Sequence, residues 1–139
     1  PEKYSWLFLK LADRKQLAAQ GVSGRQVQEV SKKMDLPAHT LRYYEESGIL
    51  TDIARNENGQ RLYNDYNLQQ INLIKCLRAC SLSITEIRSF FDSLRAHMPA
   101  AERENILKEH HQYLDKKQQE LADAVKLLEI KIDYFSKQE

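Results

Sequence analysis

Most of the chain repeats its apolar residues at helical spacing, and the places where that spacing fails divide it into elements. Tyr4, Leu7, Phe8 and Leu11 follow i, i+3, i+4, i+7, which predicts a short amphipathic helix within an N-terminal extension, residues 1–21. Such a stripe needs cover, from its own domain or from a second subunit. Gly21-Val22-Ser23-Gly24 interrupts the pattern, with Ser23 placed to cap the next helix. Val27, Val30 and Met34 share one side of that helix, from about Arg25 to Met34. Asp35-Leu36-Pro37 ends it and opens another, because proline in a first helical turn loses no backbone hydrogen bond. Gly48 stops the second helix. Ile49–Ile53 and Gln60–Tyr63 then flank Asn58-Gly59, a strong two-residue hairpin signal.

Helical spacing returns at Leu68, Ile71, Ile74 and Leu77 behind Asn64, a good N-cap. Ser83 to Glu86 has capping-box spacing and precedes Ile87, Phe90, Phe91 and Leu94. His97-Met98-Pro99 breaks the chain again. From Ala100 to about Phe135 there is neither glycine nor proline, and Leu107, Leu114, Leu121, Leu128 and Phe135 lie seven apart. Val125 and Ile132 join that stripe. The companion heptad positions hold His110, Lys117, Ala124 and Lys131, an imperfect seam suited to a two-stranded antiparallel contact. The elements predict a mainly α architecture: a winged helix-turn-helix DNA-binding domain over residues 22–97, then a long antiparallel coiled-coil dimerisation helix over residues 98–139. A lone helix of this kind exposes its leucines, so a homodimer is expected.

Chemistry concentrates in His39-Thr40-Leu41-Arg42-Tyr43-Tyr44-Glu45-Glu46, which sets donors, a fixed cation and two flat rings on the second helix. Such groups reach phosphates and base edges in a DNA groove. The predicted wing continues the theme with Arg55 and Arg61, and Tyr63 at its exit. One of Tyr43 and Tyr44 is equally suited to the domain core, and His39, Thr40 and Tyr63 equally to packing or capping. The net charge of +1 hides a mild asymmetry. Residues 1–95 carry 14 Lys/Arg against 11 Asp/Glu, and residues 96–139 carry 7 against 9. A charged fraction of 29% and mean hydropathy of −0.65 suit a soluble chain, and no apolar run approaches a membrane span. Tyr4–Leu9 is too short an apolar run for a signal peptide, so a cytoplasmic location is expected. No phosphate-binding glycine loop, nucleophile elbow or acid pair suggests an enzyme, and no cofactor is implied.

Over Val27–Leu94 the sequence resembles the MerR family of bacterial transcription regulators. The resemblance is carried by Pro37–Glu45, by Gly48-Ile49-Leu50, by Arg55 with Asn58–Tyr63, and by Leu82–Ile87. It implies a dimer on double-stranded promoter DNA, at a near-palindromic operator, activating by bending and untwisting the duplex for RNA polymerase. Matched residue by residue, Arg42, Tyr43 and Tyr44, Arg55 and Arg61, and Arg78 on the third helix become DNA contacts, joined by His39, Thr40 and Tyr63. A coiled-coil interaction module without DNA binding is the competing class.

The family's metal-binding members carry cysteines beyond the dimerisation helix, whereas no cysteine follows Cys80 here. His110 and His111 are adjacent and point about 100° apart on a helix, so they do not form a ligand pair. Cys76 and Cys80 share a face, yet two thiols leave a tetrahedral zinc site incomplete, and no metal is expected. Leu73–Arg78 and the helix end near Lys131–Phe135 look like the thiol-based branch that responds to reactive aldehydes and other electrophiles. That likeness makes Cys76 the sensor, with Lys75 and Arg78 expected to lower its pKa. The other readings are Cys80 as the reactive thiol, or Cys76 as a buried inert thiol, with a non-covalent ligand or none as effector.

Overall fold

The structure, a computed structural model, describes residues 24–138. The N-terminal stripe and the Ser23 cap lie outside the described residues. Five helices and one two-stranded ribbon follow in order: α1 Val27–Met34, α2 Ala38–Glu46, β1 Ala54–Arg55, β2 Arg61–Leu62, α3 Asp65–Ala79, α4 Ile84–Arg95 and α5 Ala100–Ser136. The chain forms two compact units that part between His97 and Met98.

In the first unit, α1 packs against α2 and α3. The turn between α1 and α2 depends on Asp35, whose left-handed backbone (φ 53°) returns its N–H to the Ser31 carbonyl. Ser31 Oγ donates to the Leu36 carbonyl and Lys75 Nζ to the Met34 carbonyl, so orphan groups at the end of α1 are satisfied by side chains. Pro37 is the N-cap of α2, one position ahead of the expected first turn. At the other end Gly48 adopts φ +79°, a conformation that favours glycine, while the Ile49 and Leu50 N–H groups both return to the Tyr44 carbonyl.

Both sequence-predicted caps on the later helices form. Asn64 accepts from the Asn67 N–H at 2.9 Å and Asn67 reciprocates at 2.9 Å, an amide version of the capping box. Ser83 and Glu86 make the same exchange at 3.1 Å each. The core is the meeting of their apolar faces: Val30, Leu41, Ile49, Leu50, Ile71, Ile74, Leu82, Ile87 and Phe91 are almost wholly buried. Leu94 lies at its edge, half-buried.

The ribbon differs from the expected hairpin. Ile49–Ile53 is not a strand, because Ile49 and Leu50 turn into the core directly after α2. The ladder pairs Ala54 with Leu62 and Arg55 with Arg61, so the loop is Asn56–Gln60 rather than the pair Asn58-Gly59. Asn56 Oδ1 accepts from the N–H groups of Asn58 (3.0 Å) and Gln60 (2.9 Å), a side-chain substitute for backbone turn bonds. Tyr63 pairs with Arg25 through bonds of 2.8 and 2.9 Å, which ties the ribbon's exit to the start of α1.

In the second unit, α5 runs for 37 residues behind Pro99, about 55 Å at the helical rise. Leu107, Leu114, Leu121, Leu128 and Phe135 are all exposed, between 38% and 67%. Leu127, Ile130 and Tyr134 make a second exposed apolar set near its C-terminal end.

Truncating Ile71 to alanine removes a fully buried side chain and is expected to destabilise the fold by about 2–5 kcal/mol. Ser83→Ala, which removes a cap, should cost about 1 kcal/mol. Urea denaturation followed by circular dichroism checks the ranking, which a smaller loss at Ile71 than at Ser83 would contradict.

Candidate nucleic-acid interface

The helix-turn-helix sets α2 outward because only two of its side chains, Leu41 and Tyr44, are needed in the core. His39, Arg42 and Tyr43 are exposed and Thr40 is half-buried. Tyr43, 51% exposed, has its ring centroid 6.2 Å from that of Tyr44. These four side chains keep the surface that the sequence assigned to them.

Two tyrosines do not. Tyr44 is 7% exposed and Tyr63 is fully buried, so neither ring presents itself to a duplex. The physical reason is position: Tyr44 lies three residues after Leu41 on the inner face of α2, and Tyr63 is held by its backbone pairing with Arg25. Burial pushes the Tyr63 phenol up. Arg61 opposes that shift, Glu45 adds to it, and Arg42 and Arg55 oppose it. Among the described residues the Tyr63 hydroxyl has no hydrogen-bond partner.

The wing arginines meet a carboxylate that no sequence motif singled out. Glu45 Oε2 accepts from Arg61 Nε at 2.8 Å and Oε1 from Arg55 Nη2 at 3.3 Å. Arg55 Nη1 also donates to the Gly59 carbonyl at 2.9 Å, closing the wing loop on itself. Beside this cluster lies an open cleft of about 340 Å³, lined by Gln26, Val27, Gln28, Arg42, Gly59, Gln60 and Arg61. Gln26 and Gln28 carried no motif signal, and Gln60 only that of the Asn58–Tyr63 stretch. Glu45 fell within the Pro37–Glu45 stretch that carries the resemblance, with no role assigned to it. Arg78, on α3, is exposed, but its Nη1 donates to the Leu82 carbonyl at 2.9 Å.

The thiols depart from expectation in their electrostatics. Cys76 is half-buried and Cys80 is exposed. Burial pushes the Cys76 thiol up, and Cys80 adds to the shift by charge and by a hydrogen bond. Lys75 and Arg78 do not lower it: their charged ends are taken by the Met34 and Leu82 carbonyls. On α5, His110 is buried and stacks at 5.5 Å on Tyr113, while His111 pairs with Asp115 at 3.3 Å. Among the described residues no group of three or more His, Cys, Asp or Glu side chains is placed to hold a metal.

An exposed helix bearing Arg42 and Tyr43, flanked by a small basic wing, is the arrangement of a winged DNA-binding head. The MerR HTH family regulatory protein model matches residues 25–94, and the MerR DNA-binding model matches residues 68–129. The chain belongs to the MerR family. As a member it is a DNA-binding transcriptional regulator. This MerR-family chain is 34% identical over 89 residues to the HTH-type transcriptional regulator AdhR of Bacillus subtilis, covering 63% of this chain and 64% of AdhR. A MerR family transcriptional regulator from Listeria monocytogenes superposes with a TM-score of 0.65 at 28% identity, over 82% of this chain and 87% of that one. HiNmlR, a MerR family regulator lacking the sensor domain and solved bound to promoter DNA, superposes at 0.61 and 26% identity, over 82% and 91%. No helix among the described residues is long and apolar enough to cross a membrane.

Because the thiolate is the reactive form, a raised pKa keeps this MerR-family chain's Cys76 largely protonated at neutral pH. Iodoacetamide at neutral pH is expected to label Cys80 ahead of Cys76, with Cys76 labelling accelerating only above the usual thiol range. Peptide mass spectrometry across a pH series reads this, and prior labelling of Cys76 would contradict it. The sign for stability is consistent: the contribution from the raised pKa is present at neutral pH and is lost as pH rises through the folded value.

Proposed function

We propose that the regulator works as a homodimer, two copies pairing antiparallel through α5 and setting two winged heads on one near-palindromic promoter operator. The observation that carries this reading is the heptad stripe Leu107, Leu114, Leu121, Leu128 and Phe135, exposed along the helix. A contiguous apolar stripe of this length calls for a partner, and a second copy presents the same stripe. A two-fold protein calls for a two-fold site, and the length of α5 sets the separation of the heads. His39, Thr40, Arg42 and Tyr43 read or grip the groove. Arg61 and Arg78 face the DNA backbone, and Arg55 braces the wing that carries Arg61.

Gripping the duplex at two ends allows the protein to bend and untwist the base pairs between, at a deformation cost of about 1–6 kcal/mol met by backbone contacts. Activation results when the distorted promoter becomes readable by RNA polymerase. The resemblance over Leu73–Arg78 to the thiol-based branch supports an effector of the electrophile class, such as a reactive aldehyde, acting at Cys76. A second reading, regulation through a non-covalent ligand or none, is favoured by the upward shift of the Cys76 thiol.

Leu121→Glu combined with Leu128→Glu should turn a dimer into a monomer in sedimentation and weaken promoter binding about a hundredfold or more, since the two heads no longer act together. A wild-type chain that sediments as a monomer would sink the dimer reading. For the effector, a promoter–reporter strain is exposed to formaldehyde or methylglyoxal with wild-type protein and with Cys76→Ser. Loss of induction in the variant supports the thiol, and intact induction transfers the case to the second reading.

A further inference from the structure

The wing is too small to hold its own orientation. Its ladder is two residues per strand, and an isolated hairpin of that size is marginal in water. Its register sets Arg55 directly across from Arg61, where two like charges repel. A single carboxylate from another element offsets that repulsion. Glu45, on the last turn of α2, gives one oxygen to each arginine, at 3.3 Å to Arg55 and 2.8 Å to Arg61. The group is partly shielded, with side-chain exposures of 26% for Glu45, 22% for Arg61 and 48% for Arg55.

The two arginines are held differently. Arg55 engages Nη2 with Glu45 and Nη1 with the Gly59 carbonyl, so its fork braces the loop. Arg61 meets Glu45 through Nε, and neither of its Nη groups donates to another described residue. Its side chain lines the cleft that also contains Arg42, Gln26, Gln28 and Gln60. A guanidinium anchored at Nε retains the paired donor edge that suits a phosphate.

We propose that Glu45 is a positioning residue for DNA binding: it locks the wing to the recognition helix, assigns Arg55 to the wing's internal structure, and aims Arg61 together with Arg42 at one backbone phosphate in the cleft. The inference rests on the reading of this face as the DNA-binding one. It reverses the sign that charge alone would give. A carboxylate beside a duplex repels phosphates, so on electrostatics its removal tightens binding. As a positioning group, its removal loosens the specific complex.

The test uses the whole chain and a duplex that the wild type selects from a random pool, with anisotropy titrations over a range of salt. Glu45→Gln, nearly isosteric and uncharged, is expected to weaken binding to the selected duplex about five- to tenfold, the effect of roughly 1 kcal/mol. The slope of log affinity against log salt should fall by about one phosphate contact. Affinity for a mixed-sequence duplex should stay level or rise. Arg61→Lys keeps the charge but cannot serve Glu45 and the cleft together, so it should lose specific affinity to a similar extent. In a double-mutant cycle the two losses should be less than additive. Thermal melting of each variant is read in parallel. If Glu45→Gln fails to fold, Arg61→Lys carries the test alone: a loss of specific affinity with the thermal midpoint retained supports the assignment, and unchanged affinity overturns it. A selected duplex bound by Glu45→Gln as tightly as by wild type, or more tightly, overturns the clamp alone. A wild type that selects no duplex overturns the DNA-facing assignment itself.

Discussion

Between α2 and the wing, the chain from Ser47 to Ile53 has neither helix nor strand, and its polar backbone atoms have to find partners elsewhere. They find them in side chains of α3 and α4. Arg88 donates to the Ser47 carbonyl through Nε (2.9 Å) and Nη2 (2.6 Å), Arg95 reaches the Ile49 carbonyl at 3.5 Å, and Asn67 reaches the Thr51 carbonyl at 3.0 Å. The Thr51 hydroxyl accepts from Gln70 at 3.1 Å and Arg95 at 3.3 Å. Asn67 and Gln70 are fully buried, so this network is costly to disturb, although the buried Arg95 Nε has no hydrogen-bond partner among the described residues. The entry to the wing depends on it, because this segment leads from α2 into β1.

The same demand redistributes the chain's cations. Lys75, Arg78, Arg88 and Arg95 each donate to a main-chain carbonyl at a turn or helix end. Arg55 is engaged within the wing. The guanidiniums that line the cleft are those of Arg42 and Arg61, with exposed Tyr43 on the same helix as Arg42. The cationic lining of this cleft therefore rests on few groups, carried on α2 and on the ribbon.

Much of the fold was legible in the sequence because its signals are local or strictly periodic. The Ser83–Glu86 box, the cap at Asn64, the left-handed Gly48 and the seven-residue leucine repeat of α5 each declare an element within a few positions. The wing was legible as a ribbon but not in its register, since Asn56 closes the loop with its own side chain. Tyr44 and Tyr63 were left between groove and core because an aromatic ring with a hydroxyl fits both equally well; only the packing decides, and it buries both. The fates of Lys75 and Arg88 depend on partners 41 residues away in sequence, and such pairings leave no spacing to read. Glu45 drew no role from the sequence, because its partners Arg55 and Arg61 lie 10 and 16 residues away.

Gly24 sits where a Cβ would come within 2.8 Å of Leu62 Cβ and about 3 Å of the backbone behind it. No larger residue fits without prising the ribbon's exit strand away from the beginning of α1. The absence of slack there makes the wing a lever rather than a tether: a force applied at its tip passes into the start of α1 through main-chain contact.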